Sequence, residues 1–286
     1  MTNPIRSGSR LTVLPAGRWA TPRDISAPTV IFVHGFTANG SYFTELSEWF
    51  RNWGFSTLSF EYDSYEGVDV AARHLTERIR PLQKQLRSGF VIVAHSLGGL
   101  VVRQFVREFS QTPFADGLKG MCTLGTPHAG TLYDMTFLSY LTSWSDWLTG
   151  FNPYFRLPTC RTALQLTRKD EESFIDRLND LDVQQPHDVP VLSVSGKKPY
   201  LEVGNAWLSN NVANRYIQAL LSSPNDGLVP EASSDITQVL GNRPGLTHRR
   251  DYSDYANTNH TYLVRNQAIA QLAVEWCLER LSVIVP

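Results

Sequence analysis

The sequence contains no CxxC pair, no HExxH, no P-loop and no GxGxxG. Zinc sites, metal-assisted hydrolysis, nucleotide triphosphate use and dinucleotide redox chemistry therefore lose their usual signatures, and no metal or cofactor is expected. Cysteine is scarce: Cys122, Cys160 and Cys277 cannot make a disulfide framework, and buried thiols are the expected state. Neither sign of charge is in excess, with 26 basic residues against 27 acidic ones. A nucleic-acid partner or a polybasic membrane anchor, both of which need a net positive surface, gains no support. No uncharged apolar run reaches the ~18–20 residues that span a bilayer, so no integral membrane segment is expected. The opening Met1–Arg6 lacks the apolar centre of a secretory signal. The expectation is a cytoplasmic protein, or a secreted one whose signal has been removed. Internal repeats and low-complexity linkers are missing as well.

What is present is a chain of 286 residues, 42% hydrophobic and 19% charged, enough to bury a sizeable core. It is long for one domain, yet α/β folds reach this size as single units, and residues 1–286 are read as one domain. After a polar, proline-broken arm with a short strand at Leu11–Leu14, buried strands are expected at Thr29–His34, Ser56–Tyr62, Phe90–His95, Lys119–Leu124 and Pro190–Ser195. Thr29–His34 and Phe90–His95 are continuous rather than alternating apolar runs, which favours a parallel sheet covered on both faces. Helices are expected at Tyr42–Trp53, Gly67–Leu86, Glu171–Leu181 and Thr261–Arg280. Another follows Phe90–His95, where Val101, Val102, Phe105, Val106 and Phe109 recur at helical spacing with Arg103, Gln104, Arg107 and Glu108 between them. Strands alternating with helices give a doubly wound α/β layer structure.

The strand Phe90–His95 runs straight into a helix through Ala94-His95-Ser96-Leu97-Gly98-Gly99. This is the pattern of a nucleophile elbow, G-x-S-x-G, with Ala94 in place of the first glycine. Small flanking residues matter because the turn is strained and brings backbones close together. The geometry puts the serine oxygen above a strand's carboxyl end and at a helix N-terminus, where backbone N–H groups favour developing negative charge. A serine N-cap would look similar in isolation.

With this elbow the chain resembles the α/β-hydrolase superfamily, and within it the serine lipases and esterases. His34-Gly35-Phe36 follows the first strong strand, where such enzymes keep an oxyanion loop. Gly125-Thr126-Pro127-His128-Ala129-Gly130 is similar to the GTPH-x-G element of bacterial lipases and of the GPI-inositol-deacylase-like group. Asn225-Asp226-Gly227-Leu228-Val229 resembles the NDGLV stretch that bears their acidic residue. The resemblance spans roughly residues 28–280, apart from 131–160. It implies an α/β-hydrolase fold with a mostly parallel sheet, helices on both faces and a helical lid insertion at 131–160.

Seven histidines compete for the role of base. His34, His95 and His128 lie inside motifs whose roles are structural in the resembling enzymes. His74 and His187 precede the acid candidate, whereas chain order in this fold is serine, acid, histidine. That leaves His248, in an expected strand, and His260, in a polar loop before the last helix, where the family keeps its base. A serine hydroxyl needs a base to take its proton, and the imidazole needs a carboxylate to fix its tautomer. Asp226 is the candidate carboxylate, although its Asn-Asp-Gly context is also a turn signal. Asp251 and Asp254 are alternatives, and could instead support a calcium site like that of some bacterial lipases. The oxyanion hole would use the backbone N–H groups of Phe36 and Leu97, and Phe36 would also wall the acyl pocket.

Residues 131–155 hold eight aromatics where the chain average of 11% gives about three, and carry only Asp134 and Asp146 as charges. Phe137, Leu138, Leu141, Trp144 and Leu148 form one helical stripe, extended sideways by Tyr140 and Trp147. The segment reads either as a core helix or as a lid in which Phe137, Tyr140, Leu141, Trp144 and Trp147 line an acyl pocket. The functional expectation is a carboxylic-ester hydrolase working through an acyl-enzyme on Ser96, with a small-molecule or lipid ester as substrate. An acyltransferase or amidase on the same triad, and a non-catalytic protein on the same scaffold, are the alternatives. Oligomeric state is not legible.

Overall fold

The computed structural model describes residues 10–13, 28–82, 84, 86, 89–109, 117–130, 160–166, 173–200, 214–215, 218–219, 221, 224–249 and 258–281. The aromatic stripe of 131–155 and the alternative acids Asp251 and Asp254 lie outside the described residues. Seven strands form one sheet in the order β1-β3-β2-β4-β5-β6-β7. They are β1 Arg10–Val13, β2 Thr29–Val33, β3 Ser56–Glu61, β4 Phe90–His95, β5 Leu118–Leu124, β6 Val191–Val194 and β7 Leu246–Arg249. β1 pairs antiparallel with β3 at one edge, and all other pairs are parallel. The order starts near the middle, at β2 and β3, and then runs outward from β4 to β7. Every carboxyl end of the parallel strands therefore opens on one edge of the sheet, where α/β folds bind ligands.

Every residue of β2 and β4 is buried, as continuous apolar runs require in a sheet covered on both sides. Alternate side chains enter separate cores. Ile31, Val33, Ile92 and Ala94 join α2 (Val68–Ile79) and α3 (Leu97–Phe109) in one. Val30, Phe32, Val91 and Val93 join α1 (Thr44–Asn52) and the last helix, α8 (Gln267–Leu281), in the other. Between α3 and α8 the described residues include the helices α4 (Arg161–Leu166), α5 (Phe174–Gln184), α6 (Glu231–Ser234) and α7 (Ile236–Leu240).

Boundaries differ from the sequence expectation where a local signal overrides the apolar pattern. α2 stops at Ile79 instead of running to Leu86, because Pro81 lacks the N–H that would extend it. α5 starts at Phe174, where the Ser173 hydroxyl accepts the Asp176 N–H at 3.0 Å, rather than at Glu171. The final helix begins at Gln267; His260–Tyr262 is a separate 3₁₀ turn capped by the Asn259 side chain. α4, α6 and α7 have four to six residues each, too short for a readable period.

Arg103 is the main reversal. Grouped by sequence among the polar residues between the apolar positions of α3, it is fully buried. Its Nε and NH2 both donate to Asp182 Oδ2 of α5, at 3.0 and 2.8 Å, and Asp182 is also fully buried. Arg107 donates to the other carboxylate oxygen at 2.9 Å, and Arg243 to the Asp182 carbonyl at 2.7 Å. Removing the carboxylate would strand a buried guanidinium, which costs about 3–5 kcal/mol. Asp182→Ala should therefore lower stability by that amount in a denaturant titration. A loss below about 1 kcal/mol, the value of an exposed pair, would show that the pair carries no such weight.

Candidate active site

Three turns leave the carboxyl edge of the sheet and converge around Ser96. Two non-glycine residues have left-handed backbones among the described residues, Ser96 (φ 54°) and Thr37 (φ 59°), and both lie here. Each costs of order 1–3 kcal/mol, and such strain persists only where its surroundings over-determine it. Ser96 is held by its N–H on the Leu124 carbonyl (2.9 Å), and by its own carbonyl, which accepts the Gly99 N–H (3.0 Å) and the Thr126 hydroxyl (2.9 Å). Glycines permit the approach. A Cβ on Gly98 would collide with the carbonyl oxygens of Val33 and His34, one on Gly99 with the Thr126 side chain, and one on Gly35 would lie 2.9 Å from Ser96 Cβ. Ala94, where the motif has glycine, is buried with its methyl in the core.

The turn after β2 places Phe36 beside this elbow. Tyr62 stacks on His34 (centroids 4.3 Å apart) and donates its hydroxyl to the His34 carbonyl at 2.6 Å. Thr37 N–H donates to Ser64 Oγ at 3.0 Å, and the Phe36 ring lies 5.0 Å from that of Tyr65. Phe36 and Tyr65 pack on Cys160 and Ala163. Leu97 is the first residue of α3, so its N–H has no partner within the helix.

Asp226 and His260 meet on the other side. Asp226 is buried, and its Oδ1 accepts the N–H groups of Leu228 (3.0 Å) and Val229 (2.7 Å), while Gly227 donates to Asn225 Oδ1 (2.9 Å). This is the turn chemistry suggested by the Asn-Asp-Gly sequence, but it occupies only one carboxylate oxygen. The other, Oδ2, lies 2.8 Å from His260 Nδ1. A carboxylate only accepts, so Nδ1 carries the proton and Nε2 presents a lone pair. The His260 N–H also donates to the Asp226 carbonyl at 2.8 Å. Gly125 makes room for the pair: a Cβ there would lie 3.0 Å from His260 Nδ1 and 3.1 Å from Asp226 Oδ2. Neutral imidazole beside a buried carboxylate can take a proton at Nε2 and be stabilised as imidazolium.

Three of the remaining histidines, His128, His248 and His95, are engaged elsewhere. His128 is buried between Thr123 Oγ1 (Nε2, 3.2 Å) and Arg103 (Nδ1, 3.4 Å), and its N–H donates to the Ser233 carbonyl at 2.8 Å. His248, the rival base, lies in β7 with Nδ1 2.8 Å from Ser193 Oγ and Nε2 3.0 Å from Ser195 Oγ. His95 points away from its neighbour Ser96, with Nε2 2.9 Å from the His260 carbonyl. His74 lies on α2 and His187 in the loop before β6. Sequence reasoning gave no role to Thr126, Tyr42 or Gly196. A Cβ on Gly196 would lie 3.1 Å from Asp226 Cβ and collide with the Thr258 carbonyl. Only the glycine at the end of β6 could have signalled this. Among the described residues no cluster of three His, Cys, Asp or Glu could hold a metal, and no helix is long and apolar enough to cross a membrane.

Burial pushes the imidazoles of His34 and His187 below their ordinary value; it pushes those of His95 and His128 far below it, helped by the His260 and Arg103 charges respectively. The unfolded chain binds protons on these rings below about pH 6.5 that the folded chain refuses, so stability falls as pH drops. Each ring contributes up to about 1.4 kcal/mol per pH unit below that point while it stays neutral in the fold. The melting temperature should therefore fall by several degrees from pH 7.5 to 5.5 in a scanning calorimeter. A constant value over that range would show that the four rings are protonated in the fold.

The chain superposes on a lipase from Bacillus licheniformis, BlEst2 in its mature form, with a TM-score of 0.63 and 17% identity over 93% of this chain and 97% of that one. A lipase-esterase related protein from Clostridium acetobutylicum matches with a TM-score of 0.54 and 14% identity, over 95% and 99% of the two chains. The phospholipase PlaB from Legionella pneumophila matches with a TM-score of 0.55 and 20% identity, over 73% of this chain and 45% of that one. At these identities the likeness establishes the fold, that of the α/β-hydrolases. No curated protein matches by sequence. The family model described as "Putative serine esterase (DUF676)" matches residues 27–236, nearly three quarters of the chain. The chain belongs to that family, and is a serine hydrolase of the α/β-hydrolase fold.

Proposed function

We propose that the protein hydrolyses carboxylic esters through an acyl-enzyme on Ser96, with His260 as base and Asp226 as its carboxylate partner. His260 Nε2 takes the hydroxyl proton as Ser96 Oγ attacks the ester carbonyl. The tetrahedral oxyanion is met by the N–H groups of Phe36 and Leu97. Collapse expels the alkoxide, which takes the proton from the imidazolium. Water then repeats the sequence on the acyl-enzyme and releases the acid. The observation that carries this reading is the buried Asp226–His260 contact of 2.8 Å, together with a serine held in a left-handed elbow at the end of β4. The close approach of Gly35 to Ser96 supports the oxyanion assignment, since it brings the Phe36 peptide beside the serine. A fluorophosphonate should label Ser96 and no other residue, and Ser96→Ala should lose both label and turnover. His260→Ala should lower kcat by several orders of magnitude, with Asp226→Asn similar or somewhat milder. Label persisting on the Ala variant would overturn the assignment.

We read the chain as one hydrolase domain with 131–160 as a lid. The anchors of that segment support this reading. Gly130 accepts the Ser233 hydroxyl at 2.8 Å on the Asp226 side. On the Phe36 side, Thr162 Oγ1 donates to the Ser64 carbonyl (2.6 Å) and accepts the Gly67 N–H (2.9 Å), while Arg161 pairs with Asp69. A segment tied at both flanks of Ser96 is well placed to reach a bound acyl chain. Each apolar side chain buried against substrate contributes roughly 1.5–3 kcal/mol, or about 10- to 150-fold in kcat/KM. Trp144→Ser and Phe137→Ser should depress hydrolysis of long-chain p-nitrophenyl esters by that factor and leave acetyl esters nearly unchanged. A uniform rate loss with a large fall in melting temperature would assign the segment to the core instead.

A further inference from the structure

Two consecutive carbonyls in the turn that carries His260 are each held by a side chain from a distant segment. His95 Nε2 lies 2.9 Å from the His260 carbonyl oxygen, and the Tyr42 hydroxyl donates to the Thr261 carbonyl at 2.9 Å. Counting the His260 N–H on the Asp226 carbonyl, the backbone is pinned on both sides of the His260 Cα. These bonds come from the elbow strand, from the 3₁₀ turn Gly40–Phe43 and from the acid turn, none of them local to residue 260.

The chemistry of His95 allows only one arrangement. A carbonyl can only accept, so Nε2 carries the proton and Nδ1 is bare. Nδ1 is buried without a hydrogen-bond partner and lies against Gly35, where a Cβ would come within 3.3 Å. A second proton would sit there with no acceptor, in a ring whose centroid is 4.7 Å from that of His260. The ring is thus a neutral donor of fixed tautomer. Tyr42 packs on it with centroids 5.0 Å apart, and burial raises its phenol far above the ordinary value, so the hydroxyl stays protonated and able to donate.

We propose that His95 and Tyr42 are positioning residues that clamp the 260–261 carbonyls and thereby aim the His260 imidazole. The inference rests on the assignment of His260 as base. A misplacement of about 1 Å in a reacting group can cost ~10²-fold in rate, so the aim of this ring is worth a dedicated pair of donors. Neither side chain need touch substrate, so the effect should fall on kcat and leave KM alone.

Three variants test it. His95→Phe keeps the ring shape and removes the donor; His95→Gln keeps an amide N–H at similar reach; Tyr42→Phe removes one hydroxyl. On a p-nitrophenyl ester, His95→Phe should lower kcat about 10- to 100-fold with KM within about twofold. Fluorophosphonate labelling of Ser96 should slow by a similar factor, His95→Gln should recover most of the loss, and Tyr42→Phe should fall in between. If His95→Phe does not fold, Tyr42→Phe carries the test alone. Folded His95→Phe and Tyr42→Phe proteins that turn over at the parent rate would overturn the clamp, as would His95→Gln being as slow as His95→Phe. In both cases Ser96 labelling and the His260 dependence of the parent protein would still stand. A parent protein left unlabelled at Ser96 would overturn the triad and the clamp together.

Discussion

The site depends on one backbone constraint, the left-handed conformation of Ser96 where β4 turns into α3. An L-residue does not adopt it unaided, and the turn is held by contacts that need the absence of side chains around it. Gly98 lies against the Val33 and His34 carbonyls, Gly99 against Thr126, and Gly35 against Ser96 itself. The elbow, the Phe36 turn and the 125–130 turn therefore interlock by backbone approach. Thr37, in the turn that follows β2, is left-handed as well. Ala94, where the motif has glycine, is buried in the core that β4 shares with α2 and α3.

Close backbone approach leaves polar groups inside, and each must find a partner. Strand register supplies a row of them: Thr123, Ser193 and His248 stand side by side across β5 to β7. Thr123 meets His128, which meets Arg103, which is neutralised by Asp182. Ser193 and Ser195 hold both nitrogens of His248, and Asp235 stands 3.9 Å away. The side chain of Ser233 ties the acid side of the site to residues 129 and 130. A core of leucines would pack as densely but could not fix the turns, since it offers nothing to their carbonyls and N–H groups.

Much of this was legible in the residues. Continuous apolar runs gave β2 and β4, helical spacing gave α3, and the three turn motifs at Ser96, residues 125–130 and Asp226 come together as their order implies. Three things were not legible. Arg103 falls between the apolar positions of α3 in sequence, and only the arrival of α5 with Asp182 makes it interior. Tyr42 has no motif, because its role depends on a hydroxyl reaching a carbonyl 219 residues away. The short helices α6, which starts directly after Pro230, and α7, capped by the Asp235 side chain, have no apolar period to announce them.

The choice between His248 and His260 shows how topology converts chain order into geometry. Strands β4 to β7 lie side by side in sequence order and point the same way. The segments after them emerge along one edge in that order too: Ser96 after β4, Gly125–Gly130 after β5, Asp226 after β6 and His260 after β7. A residue within β7, such as His248, is fixed beneath the edge with both ring nitrogens occupied. A residue in the turn beyond it can fold back over the edge, as His260 does to reach Asp226. The same return path leaves the turn dependent on its neighbours for direction, and its carbonyls are held by His95 and Tyr42. Burial keeps His95 uncharged, so the ring beside His260 brings no charge of its own. Of these two rings, tilted against each other with centroids 4.7 Å apart, one is held neutral by burial and the other has a carboxylate partner in Asp226.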